Sequence, residues 1–449
     1  MTRASRASGL NPALLAGAAL FAAAEIGLAI LAGGFFDWGR AEASLFLVYR
    51  RWLLLAAAIL VAGLDWRSRL AFYVLALALA GLAESLLLTG LGAEHPWPEM
   101  ARGLVAGAAV IALADGAIQL GRRLAGRWGG WAGALLVLLL IALPIGQRVY
   151  ESVVLPGGDR AEAASKPDLL LMTGLPIIWG EGGAFDPGSR PAGSYRLLQR
   201  EFTIRPLDSI EPATLAGSRL MLLAQSRLLA PEELVALDSW VRGGGKLLIL
   251  TDPRLLWPSE LPLGDVRRPP ALPLLGPLLG HWGLSLEEPT DSAPLVDHLR
   301  QPGGLRRLGL PAPGRFAVTG RQCRLGARPW LAFCRIGRGE AALVADADLM
   351  HDGSWTSGEE SAGSNLRRAD NPLLVADLLD GLAGLDRPRI SSPIAWTEPD
   401  SDRLAALLRA ALPLIAALAL ALAMLYRRRK GSTNLSTGME TENGGRTKL

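Results

Sequence analysis

At 449 residues the chain can form two or more compact units, and with 50% hydrophobic residues and a mean hydropathy of +0.28 it is too apolar to be wholly soluble. Its 46 basic residues against 42 acidic ones give a net charge of +4, too balanced for a nucleic-acid partner, and the arginines gather beside apolar segments, where they bear on topology. Two cysteines and four histidines, with no CxxC or HExxH spacing, leave no material for structural zinc, and no metal or cofactor is expected.

Behind a basic start at Arg3 and Arg6, Asn11–Phe36 is apolar apart from Glu25 and exceeds the roughly twenty residues a bilayer requires. Its length and the spans behind it argue against a cleaved signal peptide. Similar segments follow at Trp52–Leu64, Leu70–Leu91, Gly103–Leu120, Trp131–Ile145 and, much later, Leu404–Tyr426, six predicted spans in all. Arg50 and Arg51 break the second unless Ser44–Tyr49 is included, and a short interfacial helix is the alternative there. Arg67 and Arg69, then Arg122, Arg123 and Arg127, then Arg427–Lys430 fall on the side of Arg3 and Arg6. The loop Ala93–Met100 carries Glu94 and Glu99 but no Lys or Arg; Arg40, Arg50 and Arg51 are the exception. The positive-inside rule then puts both termini in the cytoplasm and the region between spans five and six outside it. The expected organisation is a membrane region over 1–149, an extracytoplasmic domain over 150–402, a membrane helix over 403–426 and a basic tail over 427–449, polar enough to be disordered.

The extracytoplasmic region opens with a Pro/Gly-bearing linker and a strand at Leu169–Thr173, followed by a Gly/Pro-rich loop, Pro176–Tyr195. Tyr195–Glu201 is predicted helical and Phe202–Leu207 a strand. Its clearest statement is Arg219–Pro253. There an apolar run is followed by Pro231, Glu232 and Glu233 at a helix start, by Leu234, Leu237, Trp240 and Val241 at helical spacing, by three glycines, and by a second apolar run at Lys246–Leu250. Strand, helix and strand in about thirty residues is a βαβ unit with parallel strands. Beyond it, Leu255–Pro273 is proline-rich and irregular, Leu274–Trp282 a short helix, Phe316–Ala345 an antiparallel region and Asn371–Leu385 a closing helix. The fold class is therefore a multi-span α-helical membrane region plus a flavodoxin-like α/β domain with a mostly parallel sheet and a C-terminal membrane helix.

Three stretches carry a resemblance: LLLMTGLPIIWGEG at Leu169–Gly182, LLAQSRLLAPEELVALDSWVRGGGKLLILTDP at Leu222–Pro253, and RIGRGEAALVADADLM at Arg335–Met350 with NPLLVADLLDGLAG behind it. Together they resemble the GldG-like auxiliary proteins of uncharacterised ABC-type transport systems and related bacterial membrane proteins of unknown function. The resemblance covers about Asp168–Leu385 and leaves out the five preceding spans. It implies a domain similar to class I glutamine amidotransferases, anchored in the bacterial inner membrane with the domain in the periplasm. It also implies membrane-protein partners, an ABC ATPase and a permease among them.

The amidotransferase nucleophile is a cysteine on a strand-to-helix turn, activated by a histidine and an acid. Here Lys246–Leu250 runs into Thr251-Asp252-Pro253-Arg254, with no cysteine. Cys323 and Cys334 lie in the antiparallel region, where a cross-strand disulfide and two buried free thiols are both open and a catalytic role is disfavoured. Asp346, Asp348, His351 and Asp352 suggest oxygen-ligand metal chemistry, but no complete cation-loop spacing is present; acids capping the following turn and pairing with arginines are the preferred reading. Because parallel sheets place ligands beyond the carboxyl ends of their strands, Trp179, Glu181, Gln225, Asp252, Asp346 and Asp348 are the candidate binding surface, with loop stabilisation as the alternative. Glu25, Glu84 and Asp115 fall within predicted spans, where an ion path and simple hydrogen-bonded burial are the rival explanations; no intramembrane Lys or Arg is expected to match them. No GxxxxGK[ST] loop occurs, so the chain cannot drive transport by itself. The expected function is a non-catalytic auxiliary or scaffolding subunit of an envelope system. The alternatives are a transporter acting through the helical bundle and a hydrolase of the amidotransferase-like fold.

Overall fold

The helices of the first unit are α1 (Pro12–Ala32), α2 (Ala43–Val61), α3 (Trp66–Gly90), α4 (Trp97–Ala142) and, from the far end of the chain, Arg403–Asn443. In the computed structural model all but α2 are long and apolar enough to cross a membrane, four among the described residues. Those residues are 11–91, 97–146, 149–150, 166–289, 293–301, 304–357, 366–385, 394–397 and 401–443. The chain forms two units, Met1–Gly158 with Ile390–Leu449, and Asp159–Arg389.

Small residues let the helices of the first unit approach. Ala18, Ala19 and Ala22 of α1 and Ala76, Ala80 and Ala83 of α3 have no exposed surface, while Leu31, Leu60 and Leu124 point outward. Leu15 and Ala19 pack with Ala417 and Ala421 of the C-terminal helix. Six spans are expected and four helices among the described residues have the length and apolarity of a span; the difference lies in two places. The second segment is the helix Ala43–Val61, which takes in Ser44–Tyr49, the inclusion left open by the sequence, and carries Arg50 and Arg51 in mid-helix. The fourth and fifth are the arms of α4, which is broken at Ala125 and at Gly126, whose φ is 61°. The arms lie back to back, since a Cβ built on Gly121 would fall 2.0 Å from the Gly129 carbonyl oxygen, and one on Gly129 2.0 Å from that of Gly121. The C-terminal helix continues past Arg427 to Asn443, into the tail whose composition suggests disorder. A short antiparallel ladder, Arg40–Glu42 with Ile394–Trp396, also belongs to this unit.

The second unit is an α/β fold. In chain order its elements are β1 (Asp168–Thr173), α5 (Gly193–Glu201), β2 (Thr203–Pro206), β3 (Leu220–Ala224), α6 (Pro231–Arg242), β4 (Lys246–Leu250) and α7 (Gly276–Trp282). They continue with β5 (Leu284–Glu287), β6 (Leu295–Gln301), β7 (Gly304–Leu310), β8 (Arg315–Val318), β9 (Cys323–Leu325), β10 (Leu331–Ile336), β11 (Gly339–Val344) and α8 (Asn371–Ala383). Seven strands form one sheet in the order β9-β10-β11-β4-β3-β1-β2, parallel from β11 to β2 and antiparallel at β9 and β10. The five parallel strands thus run 2-1-3-4-5 in chain order, a doubly wound arrangement. Strands buried on both faces read as unbroken apolar runs, as LLLM of β1, LMLLA of β3 and LLIL of β4 do. Helix α8 covers β3, β4 and β11 and meets α5.

The predicted βαβ unit is β3-α6-β4. Pro231 stands in the first turn of α6, Leu237 and Val241 are buried, and Gly244, at φ 119°, turns the chain into β4. Glu233 fixes the helix start: its carboxylate accepts from Ala230 N at 2.9 Å, from Ile210 N at 3.0 Å and from both terminal nitrogens of Arg227. The Arg227 guanidinium, with these amides, holds the Glu233 carboxyl down at about 2, against 4.5 unperturbed. A depressed carboxylate stabilises the fold above its unfolded pKa and loses that contribution as pH falls. Glu233→Gln is therefore expected to cost about 1–2 kcal/mol at neutral pH, modest because Arg227 is half in water. Denaturant titration of both proteins should show the difference closing between pH 4.5 and about 2.

Cys323 and Cys334 face each other across β9 and β10 and are joined in a disulfide. The sequence separation of 11 encloses a short loop, for which the chain-entropy model gives about 3 kcal/mol. Replacing both with alanine should lower the melting temperature of this unit and abolish its sensitivity to reductant. A wild-type melt indifferent to reductant would show that the bond does not constrain the unfolded chain.

Candidate functional site

At the topological switch point the chain leaves β1 for β2 on one side and returns to β3 on the other, where doubly wound sheets open a crevice. Here the crevice is closed by backbone: Gly174 N donates to Ala224 O and Gln225 O at 3.2 and 3.1 Å. Gln225, at φ 40°, is the one non-glycine residue with positive φ among the described residues. Its side-chain oxygen accepts from Asp252 N at 2.8 Å, and its amide nitrogen donates to Pro270 O at 2.8 Å. Gln225 thus ties both ends of the proline-rich segment behind β4 to the strand ends, the loop-stabilising alternative of its sequence reading.

One strand further on, Asp252 after β4 and Asp346 and Asp348 after β11 converge, with a carboxylate oxygen from each within 4.8 Å of the others. All three are buried, and Asp252 and Asp346 have no exposed surface. The parallel register of β4 and β11, Leu250 opposite Val344, brings the two strand ends level. Capping accounts for four of the six oxygens. Asp252 accepts from Arg254 N at 2.8 Å and Ala347 N at 3.2 Å, Asp346 from Leu349 N at 3.0 Å, and Asp348 from Leu256 N at 2.6 Å. Asp346 Oδ2 and Asp348 Oδ1 are buried with no hydrogen-bond partner. The expected pairing with arginines is not found, since no Lys, Arg or His forms an ion pair with the three among the described residues. Burial raises the Asp252 carboxyl and pushes Asp348 up to about 7, while Asp346 is raised well above the carboxylate range by burial and then by its two acidic neighbours.

The other sequence candidates serve elsewhere. Trp179 is exposed, and Glu181 accepts from Glu260 N at 3.2 Å, tethering two loops. Asp352 caps the start of α5, accepting from Gly193 N and Ser194 N at 2.7 and 3.2 Å. His351 packs edge-on against Trp257, ring centroids 4.8 Å apart, and burial lowers its pKa.

In the first unit, Glu25 and Glu84 come together and Asp115 does not join them. Arg50 stands between the two glutamates: its Nε donates to Glu25 at 2.7 Å and its Nη2 to both oxygens of Glu84 at 2.7 and 2.9 Å. The expectation of no matching base is corrected by Arg50, which the sequence reading leaves at the edge of its second span. Its signal is an arginine inside a helix-length apolar segment in a chain with two other intramembrane acids. Asp115 pairs separately, with Arg69 Nε at 2.9 Å and the Tyr73 hydroxyl at 3.2 Å.

No family model and no curated protein matches the chain. Among solved structures, the mmIFT52 N-terminal domain is 15% identical, covered over 100% of its length by 49% of this chain, with a TM-score of 0.31. A cytoplasmic protein of Salmonella typhimurium LT2 is 12% identical, with 99% of its chain and 48% of this one covered and a TM-score of 0.29. An exo-β-1,4-mannosidase from Opitutaceae bacterium strain TAV5 is 14% identical, with 39% of its chain and 52% of this one covered, also at 0.29. At such scores these likenesses decide nothing about what this chain does; its four long apolar helices and its parallel α/β unit stand on its own sequence and geometry.

Proposed function

We propose that this chain is a membrane-anchored, non-catalytic auxiliary or scaffolding subunit of a bacterial envelope system of the ABC type, with a periplasmic, amidotransferase-like α/β unit that binds a ligand or partner at its strand ends. The observation that carries this over transport is the engagement of Glu25 and Glu84 by Arg50. One guanidinium takes both oxygens of Glu84 and one of Glu25, leaving Glu25 Oε2 as the one unpartnered oxygen of the four, and so ties α1, α2 and α3 together, whereas acids that passed an ion along would stand free of a fixed base. The disulfide of the α/β unit also supports the reading. Both cysteines are tied in a disulfide, so neither is a thiolate nucleophile, and such a bond persists outside the reducing cytoplasm.

The test is purification of the intact protein from its native membrane in mild detergent, with mass spectrometry of what accompanies it. Stoichiometric recovery of an ATPase and a permease is expected. Recovery of the protein alone would overturn the auxiliary reading, and loss of solute flux at normal abundance in a Glu25→Gln, Glu84→Gln variant would replace it with transport.

A further inference from the structure

We propose that Asp252, Asp346 and Asp348 form a binding site for a hard divalent cation, Ca2+ ahead of Mg2+, at the carboxyl ends of β4 and β11. Three carboxylates from two strand ends converge with their oxygens within 4.8 Å of one another. Oxygens around one such cation lie no more than about 5 Å apart, and three buried carboxylates form a donor set that suits Ca2+, whereas Mg2+ keeps several waters and takes one or two carboxylates. The donor set is all oxygen, with no sulfur or imidazole in the cluster, which selects a hard ion over zinc or copper.

What separates the cluster from a set of capping acids is what the caps leave over. Asp346, with no exposed surface, spends one oxygen on Leu349 N and keeps Oδ2 buried without a partner. Asp348, at 2% exposure, accepts from Leu256 N and lies with its carboxyl against that of Asp252, a contact of two acids that an ion between them would relieve. Capping needs no such free oxygen. No basic side chain forms an ion pair with the three among the described residues, so in their ionised form they call for a counter-ion from outside the chain. The amides that fix Asp252 and Asp348 belong to Arg254 and Leu256, at the start of the proline-rich segment, so a bound cation would also set that segment's course over the strand ends.

This site stands or falls independently of the auxiliary reading. The experiment uses the full chain in detergent, stripped with chelator and titrated with CaCl2 and separately with MgCl2, followed by calorimetry and thermal melting. Wild-type protein is expected to bind one Ca2+ per chain and to melt several degrees higher with it. Asp346→Asn and Asp348→Asn each keep the capping acceptor and the side-chain shape, and each should weaken binding by at least about tenfold. Their cation-free melts report whether they are folded. Absence of binding to either ion at millimolar concentration, or binding that survives in the double variant, would overturn the proposal; Mg2+ binding alone would overturn its preference for Ca2+.

Discussion

Replacing Arg50 with methionine is expected to destabilise the helical unit by about 3–5 kcal/mol, enough to deplete the protein from the membrane. Arg50 is 1% exposed, Glu25 fully buried and Glu84 3% exposed, so removal of the base strands two carboxylates in apolar surroundings. The same reasoning gives a rescue. Glu25→Gln and Glu84→Gln added to Arg50→Met leave neutral groups of similar volume, and most of the lost stability should return. Arg50→Lys falls between, because a single ammonium cannot reproduce the Nε and Nη2 contacts that reach both acids at once. Abundance in the membrane and melting in detergent measure all three variants. An Arg50→Met protein as abundant and stable as wild type would remove the triad from any structural role.

In chelator-treated protein, stability of the α/β unit should fall as pH rises from about 4 toward 8, the reverse of ordinary acid denaturation. The Asp348 carboxyl stands at about 7 in the folded chain against 3.8 unperturbed. A group whose folded pKa is raised takes up a proton on folding. Its favourable contribution is complete below the unfolded value and is lost as pH climbs through the folded one. Asp252 and Asp346 move in the same direction, so the three acids lose this contribution together as pH climbs. Asp348→Asn, which cannot ionise, should flatten the profile and be the more stable protein at pH 8. Denaturant titration at several pH values measures this, and a wild-type profile that rises with pH would show that the cluster is not desolvated as the structure has it.

The parallel sheet was legible because its strands are buried on both faces, leaving apolar runs such as LMLLA and LLIL that only a covered sheet can bury. The helix between them was equally plain, since Pro231, Glu232 and Glu233 announce its start in local chemistry. The candidate acids were visible as types and as strand-end positions, but their convergence was not. Asp252 lies more than ninety residues before Asp346, and only the register of β4 against β11 brings them level. Arg50 was misplaced for a related reason. A hydropathy reading treats charge as an interruption, and the compensating acids sit on helices 25 and 34 residues away in sequence. The break in α4 was expected as a loop between spans, yet its tightness rests on glycines meeting across the bend, which single-segment reading does not reveal.

The two borders of the seven-stranded sheet constrain how anything can attach to it. At one border β2 is four residues long and ends in Pro206, which has no amide hydrogen to offer an incoming chain. At the other, β9 is three residues long and covalently tied to β10. Neither presents the long row of free amides and carbonyls that a visiting peptide needs to extend a sheet. A partner that meets this sheet must therefore recognise side chains and loops at the rim of its strands, since neither border offers a template for a further strand.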